Sequence, residues 1–550
     1  MKKTKWFILA LVAAMALMLA ACGTEVVEGP VAVATPADTA PADTPEADAD
    51  NADEADEAAP ADETASDATG GEIVWVANFD TVNLDPIRSN DSATADATAQ
   101  MMEGLTIIRG SGELEPLLAE SYTMLEDGYT WEFNLNRGIM FHDGTPFTAE
   151  AVRRSLGRAL DPEEASPAAF IIDMIEDVVV VDEYTVHIIT EFPFAPLPAH
   201  LAHPVAFIIS PAALDEEAAG GRSIDANPVG TGPFRFDERV IGDFVRFVRF
   251  DDYWRGPAQI ESLLFRTILD AATRVAMVEV GEANAIMAQP SDVFHIETLP
   301  HVDMQLIVST AVTYIGLNNQ RPPFDNPMVR QAIAMAINRE DILYGIAEGQ
   351  GVLSAGPLAP TVRHSATNVP ALPFDPDRAR ALLEEAGYGD GFEFQLLNIV
   401  GMAARSRMIE LVQANLAEIG ITVNLGYMDL APFLEVTAAG EFDAVILGWT
   451  TVTGDADYGV YSLFHSDHFG GAGNRTFYAN PRIDELLDAG RRSTDPAARD
   501  DIYREITEIL IEDAPMIFLF HPYHPIVTNG IGGLDVNFNA RPIFYYAYLR

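Results

Sequence analysis

Between Phe392 and Trp449 the chain alternates strand-like and helix-like segments, with joints of only a few residues. Phe392–Ile399 reads as a strand, Ala403–Glu418 as a helix closed by Gly420, and Ile421–Tyr427 as a strand. Ala431–Ala439 then reads as a helix closed by Gly440, and Phe442–Trp449 as a strand. Segments in that order with such short joints pack as right-handed βαβ units with parallel strands. In an open parallel sheet the ligand crevice lies beyond the carboxyl ends of the strands. The strand Phe442–Trp449 therefore delivers Trp449 and the loop Thr450–Tyr461 to a candidate site. That loop carries Asp455, Asp457, Tyr458 and Tyr461, and aromatic surface with a few aimed polar groups suits a small-molecule cleft. The alternative reading is plain core for Trp449 and solvated loop charges for the two aspartates.

The flanks agree with an α/β fold. Asn326-Pro327 opens a helix with Val329, Ile333, Ala336 and Ile337 on one face, and Asp375-Pro376 opens another that Gly387 ends. Two helices after Pro481 lead into Met516–Phe520, a run that reads as a buried strand. In the first half Ile73–Asn78, Tyr129–Leu135, Thr185–Thr190 and Phe244–Phe250 have strand patterning, and Thr148 caps a helix containing Val152, Leu156 and Leu160. The sequence does not order the sheets of this half.

Charge and missing motifs narrow the function. The 550 residues contain 83 Asp and Glu against 33 Lys and Arg, a net charge of −50, which repels phosphate backbones and excludes nucleic acid as a partner. The chain has no GxSxG elbow, HExxH helix, GxxxxGK[ST] loop or GxGxxG turn, so nothing in it argues for an enzyme or a bound cofactor. A single cysteine leaves no intramolecular disulfide and no cysteine metal cluster. His465 and His468 have the spacing of a shared helical face, but ordinary surface or core histidines explain it more cheaply than a metal. A structural role is likewise the better reading of His142-Asp143.

Residues 1–22 read as a secretory signal. Lys2, Lys3 and Lys5, the only lysines of the chain, precede an apolar run from Trp6 to Leu19 that is too short to span a membrane. Leu19-Ala20-Ala21-Cys22 resembles the bacterial lipobox, which implies a lipidated Cys22 as the mature N-terminus. Residues 23–70 are rich in Ala, Asp, Glu, Pro and Thr and lack Lys and Arg, the composition of an extended, disordered acidic linker. The chain is thus expected to be extracytoplasmic, anchored by lipid to the outer face of the cell membrane.

A series of landmarks then carries a family resemblance. In order they are Leu84-Asp85-Pro86, Glu103-Gly104-Leu105, Pro116-Leu117-Leu118-Ala119-Glu120-Ser121, Leu135-Asn136-Arg137-Gly138 and the stretch from Phe141 to Val152. Gly230-Thr231-Gly232-Pro233-Phe234, Asp252-Tyr253-Trp254-Arg255-Gly256, Val329-Arg330-Gln331-Ala332-Ile333 and Tyr478-Ala479-Asn480-Pro481 follow. Residues 71–550 resemble the extracellular solute-binding proteins of the peptide/nickel class, family 5, that serve ABC importers. The resemblance implies a two-lobed periplasmic-binding-protein-like α/β fold with a hinge and an extra subdomain on lobe one. It places lobe I in residues 71–87, 228–311 and 518–550, the subdomain in 88–227 and lobe II in 312–517, with crossings near Val312–Asn318 and Met516–Phe520.

The resemblance also implies site residues. Peptide-binding relatives carry an aspartate three positions after the tryptophan that matches Trp449, where it pairs with the peptide α-ammonium group; here that position is Val452. Either Asp455 or Asp457 substitutes for it, or the ligand is not a free-amino peptide. The carboxylate-binding arginine of dipeptide binders falls near Arg405 and Arg407, with Arg407 the closer match and a surface arginine the alternative. The implied role is a monomeric importer subunit that captures oligo- or dipeptides and presents them to permease and ATPase subunits. Oligosaccharides stacking on Trp449, Tyr458 and Tyr461, or a nickel chelate at His465 and His468, are alternatives; a surface hydrolase or ligand sensor is an alternative of another class. Replacing Cys22 by Ala is expected to move the protein from the membrane to the soluble fraction, and a variant that still sediments with membranes would rule out the anchor.

Overall fold

The computed structural model describes residues 70–81, 83–470 and 473–550; the expected signal, Cys22 and the acidic linker up to residue 69 lie outside them. The βαβ alternation forms as its pattern dictates. Strands Phe392–Ile399, Ile421–Met428 and Ala444–Thr450 run parallel, joined by helices Ala403–Ala417 and Leu430–Ala438. They are not the whole sheet. Ala311–Leu317 and Met516–Thr528 add to it antiparallel, so the lobe is a mixed sheet with a parallel edge. Its two faces are filled by separate apolar clusters, one centred on Ile333, Leu396 and Ile446 and one on Val460, Leu487 and Ile506.

The strand read as Met516–Phe520 is 13 residues long and ends at Thr528. Its first half pairs with Ala311–Leu317, and its second half pairs with Asp303–Val308 in the sheet of the other lobe. Pro522 and Pro525 lie within it. Proline cannot donate to a ladder and normally marks a strand edge or end; here the strand continues while its partners change around Ser309–Ala311. Those two adjacent strands carry the chain between lobes.

Beyond them the sheet proceeds through Ala285–Met287, Glu72–Ala77, Ser262–Thr267, Phe244–Arg249 and Phe234–Val240. A separate four-stranded antiparallel sheet follows the order Ala119–Met124, Thr130–Leu135, Thr185–Thr190, Ile175–Asp182. It is no loosely appended module, because one apolar cluster runs from Trp75 and Phe265 through Phe133, Leu156 and Ile188.

The sequence landmarks of this half meet at one buried group. The Glu103 carboxylate accepts hydrogen bonds from Tyr253 Oη (2.7 Å), Thr231 Oγ1 (2.8 Å) and Trp254 Nε1 (3.1 Å). His142 joins the same region, its Nε2 2.9 Å from the Gly232 carbonyl. The glycines flanking Thr231 have a packing cause: a Cβ on Gly230 would lie 2.3 Å from the Met101 carbonyl oxygen, and one on Gly232 2.6 Å from the Met101 carbonyl carbon. Gly232→Ala is therefore expected to destabilise the fold by about 1–3 kcal/mol through overpacking against backbone. A lower midpoint in urea would show it, and an unchanged midpoint would mean that the segment shifts freely.

Candidate functional site

A cavity of about 500 Å³ opens where the two lobes face each other. Asn78 and Phe79 after the first strand, the N-terminus of helix Ser92–Met101, Met287–Pro290 and the Tyr523–Pro525 stretch form the first-lobe walls. Thr450 and Val452 come from the second lobe, at the carboxyl end of the strand Ala444–Thr450, where the parallel sheet predicts a ligand crevice. Asn539 ties the walls together. Its Oδ1 accepts from Thr310 Oγ1 at 2.8 Å, and its Nδ2 donates to the Val452 carbonyl at 3.2 Å.

Trp449 is half-buried and stacked on Tyr458, with ring centroids 5.6 Å apart and planes 23° apart. The Tyr458 ring in turn meets His200 edge-on at 6.4 Å, and burial pushes its phenol up to about 12. Val452 packs against the core of the first lobe. Expected as a loop, Thr450–Tyr461 instead contains the start of helix Ala456–Phe464, and Asp455 is its N-cap, accepting from the Asp457 amide at 3.0 Å.

Both aspartates of that segment are buried and engaged. Asp455 accepts from Arg499 Nη1 at 2.7 Å and Nη2 at 2.6 Å, and this guanidinium holds its carboxyl well below the usual carboxylate range despite burial. Asp457 accepts from Arg491 Nε at 2.9 Å and Nη2 at 3.3 Å. The Arg491 guanidinium also lies 3.1 Å from the centroid of the Tyr461 ring. A ligand ammonium group would have to displace a buried guanidinium to reach either carboxylate, a costly exchange. The two arginines were not singled out in the sequence, since pairs separated by 34 and 44 positions leave no local signal.

The two candidate cations differ. Arg407 is exposed. Arg405 is half-buried against the strand Ala444–Thr450, so close that a methyl group on Gly448 would meet its Nη2 at 3.3 Å. Burial lowers its pKa while the Tyr314 phenol opposes the shift, and it makes no hydrogen bond or ion pair among the described residues. The cavity wall does contain one ion pair, Arg541 Nε to Asp96 Oδ1 at 3.3 Å; burial pushes Asp96 up to about 6 although Arg541 works against it. This pair, Asn539 and Asn78-Phe79 escaped the sequence reading because they come together only through the fold. His465 and His468 do not share a helix: Phe464 ends it, their rings lie 6.1 Å apart, and His465 stacks on Tyr461 at 4.6 Å. Among the described residues no three His, Cys, Asp or Glu side chains are grouped to hold a metal, and no helix is long and apolar enough to cross a membrane.

Two α/β lobes joined by paired strands, with a cleft at their strand ends, define a protein built to enclose a small ligand. Residues 113–471 match the model of bacterial extracellular solute-binding proteins, family 5. The glutathione-binding protein GsiB of Pectobacterium atrosepticum is 34% identical over 447 residues, covering 80% of this chain and 86% of its own. The GsiB of Escherichia coli K12 is 33% identical over 448 residues, with 80% and 86% covered. Among solved structures, HbpA2 of Haemophilus parasuis superposes with a TM-score of 0.83 at 29% identity, over 87% of this chain and all of its own (100%). The Helicobacter pylori DppA in complex with the peptide STSA gives 0.71 at 27% identity, over 88% and 99%. The chain belongs to the family 5 extracellular solute-binding proteins, the substrate-binding components of ABC importers.

The enclosed histidines predict a pH response. Loss of hydration pushes His142 and His521 down to about 4 and His203 down to about 3. A folded-state pKa below the unfolded value of about 6.5 gives stability that is complete above that pH and is lost as pH falls toward 4. Asp96 acts in the opposite sense, its raised pKa costing stability as pH rises through about 6. Burial raises Glu103 and Asp173 as well, and it pushes down His200, His364, His468 and His524 in addition to the three above. Seven imidazoles outweigh three carboxylates, so the melting temperature is expected to fall between pH 7 and pH 5. A flat or rising melting temperature over that range would show that water reaches these rings.

Proposed function

We propose that this chain captures a short, net-negative peptide of the glutathione type between its lobes and presents it to an ABC permease. Lipid on Cys22 holds it outside the cell membrane after signal cleavage, at the end of an acidic tether. Lobe I in this reading comprises residues 71–87, 228–311 and 518–550, the subdomain 88–227 and lobe II 312–517.

The observation that carries the reading is the charge balance around the cleft. Asp455 and Asp457 are neutralised inside lobe II and Asp96 is paired with Arg541, whereas Asp91 on the cavity wall and Arg405 against Gly448 have no ion-pair partner among the described residues. A peptide such as glutathione, with one ammonium group and two carboxylates, offers the ammonium to Asp91 and a carboxylate to Arg405. Arg405 is its carboxylate ligand, since a guanidinium grips a carboxylate through two parallel hydrogen bonds. Val452 supplies apolar surface and its carbonyl where an aspartate would stand. The roughly 500 Å³ of the cavity suits a ligand of this size, within the usual span of about 300–1,000 Å³. No covalent step is involved: ligand favours the closed arrangement by touching both lobes, and closure is what the importer reads.

Glutathione at a hundred times its dissociation constant should stabilise the folded protein by about 2.7 kcal/mol and raise its melting temperature. Arg405→Gln should weaken binding by about 1.5–3 kcal/mol, and Trp449→Ala by about 1–3 kcal/mol if the indole stacks on the ligand. A rise with oligosaccharides and none with glutathione would overturn the ligand class. Undiminished affinity in Arg405→Gln would remove that residue from the site.

A further inference from the structure

A second cavity, of about 190 Å³, lies between the four-stranded sheet and the second lobe and shares no lining residue with the 500 Å³ cleft. Tyr122 and Trp131 face it from the sheet, and Arg363, His364, Asp455 and Arg499 from the other side. Three of these four polar groups are already engaged. Arg499 is bidentate on Asp455 and also donates through Nε to the Gly490 carbonyl at 3.1 Å, and His364 Nδ1 lies 2.7 Å from Asp500. Arg363 is the exception. It is half-buried, and its side chain makes no hydrogen bond or ion pair among the described residues. Its backbone is nonetheless fixed, the amide donating to the Gly454 carbonyl at 2.9 Å and the carbonyl accepting from the Ala456 amide at 3.2 Å. In a chain with such an excess of acid, a half-buried arginine without a carboxylate calls for a ligand from outside.

We propose that this cavity is a second binding site, for a small organic carboxylate with an apolar or aromatic body. The carboxylate pairs with the Arg363 guanidinium, and the body lies against Tyr122, Trp131 and the neighbouring prolines Pro196 and Pro198. The charges already present, Arg363, Arg499 and Asp455, leave one positive charge, which a monoanion balances. The volume equals that of about six liquid waters, room for one ring and its carboxylate. The site goes beyond the peptide cleft and does not depend on its ligand.

Equilibrium dialysis of the mature full chain with labelled benzoate tests this. One saturable site is expected in the unmodified protein and in Arg405→Gln, with binding at least about tenfold weaker in Arg363→Gln, the loss of one charge-assisted contact. Pro496→Glu, which sets a like charge on the exposed lip of the cavity, should weaken benzoate as well and gives an independent reading if Arg363→Gln folds poorly. No saturable binding, binding indifferent to both substitutions, or binding lost in Arg405→Gln alone would overturn the proposal.

Discussion

The architecture rests on a single strand that serves two sheets. Met516–Thr528 pairs with Ala311–Leu317 at one end and with Asp303–Val308 and Ala285–Met287 at the other. Both lobes therefore share a continuous backbone ladder. Around the crossing, Ser309 donates its amide to the Pro522 carbonyl and His521 Nδ1 lies 2.9 Å from the Ala311 carbonyl. The cleft walls of both lobes are therefore positioned relative to this pair of strands.

The cleft face of lobe II depends on internal charge pairing. A buried aspartate without a partner would be expensive, and Asp455 and Asp457 avoid that cost by taking one arginine each from the two helices Pro481–Arg492 and Pro496–Asp513. The pairs fix the start of helix Ala456–Phe464, and that helix carries the Tyr458 ring under Trp449. Motif residues that look like binding groups thus act as the frame of the binding surface. Arg405 and Arg363, by contrast, make no ion pair among the described residues.

Much of the fold was readable from pattern. The parallel strands and helices of residues 392–450 lie within about two residues of their expected ends, because apolar periodicity and glycine stops are local properties. Asn326 caps the helix Pro327–Ala336 as its position suggested, accepting from the Met328 amide at 3.0 Å. Thr148 precedes its helix without a side-chain capping bond. The extension of Met516–Thr528 through two prolines was not legible, since the strand survives there by exchanging partners, a tertiary event. Nor was the helix that begins at Ala456, although Asp455 in an N-cap position was an available signal.

By itself the sequence determined the α/β class, the parallel edge, the strongly acidic character, and the family through landmarks in fixed order. These follow from residue periodicity, composition and short motifs, each complete within a few positions. Only the tertiary structure decided which charges are free. Whether Asp455, Asp457, Arg405 or Arg363 faces a ligand depends on partners dozens of positions away, and no local pattern encodes whether a guanidinium will arrive to occupy a carboxylate.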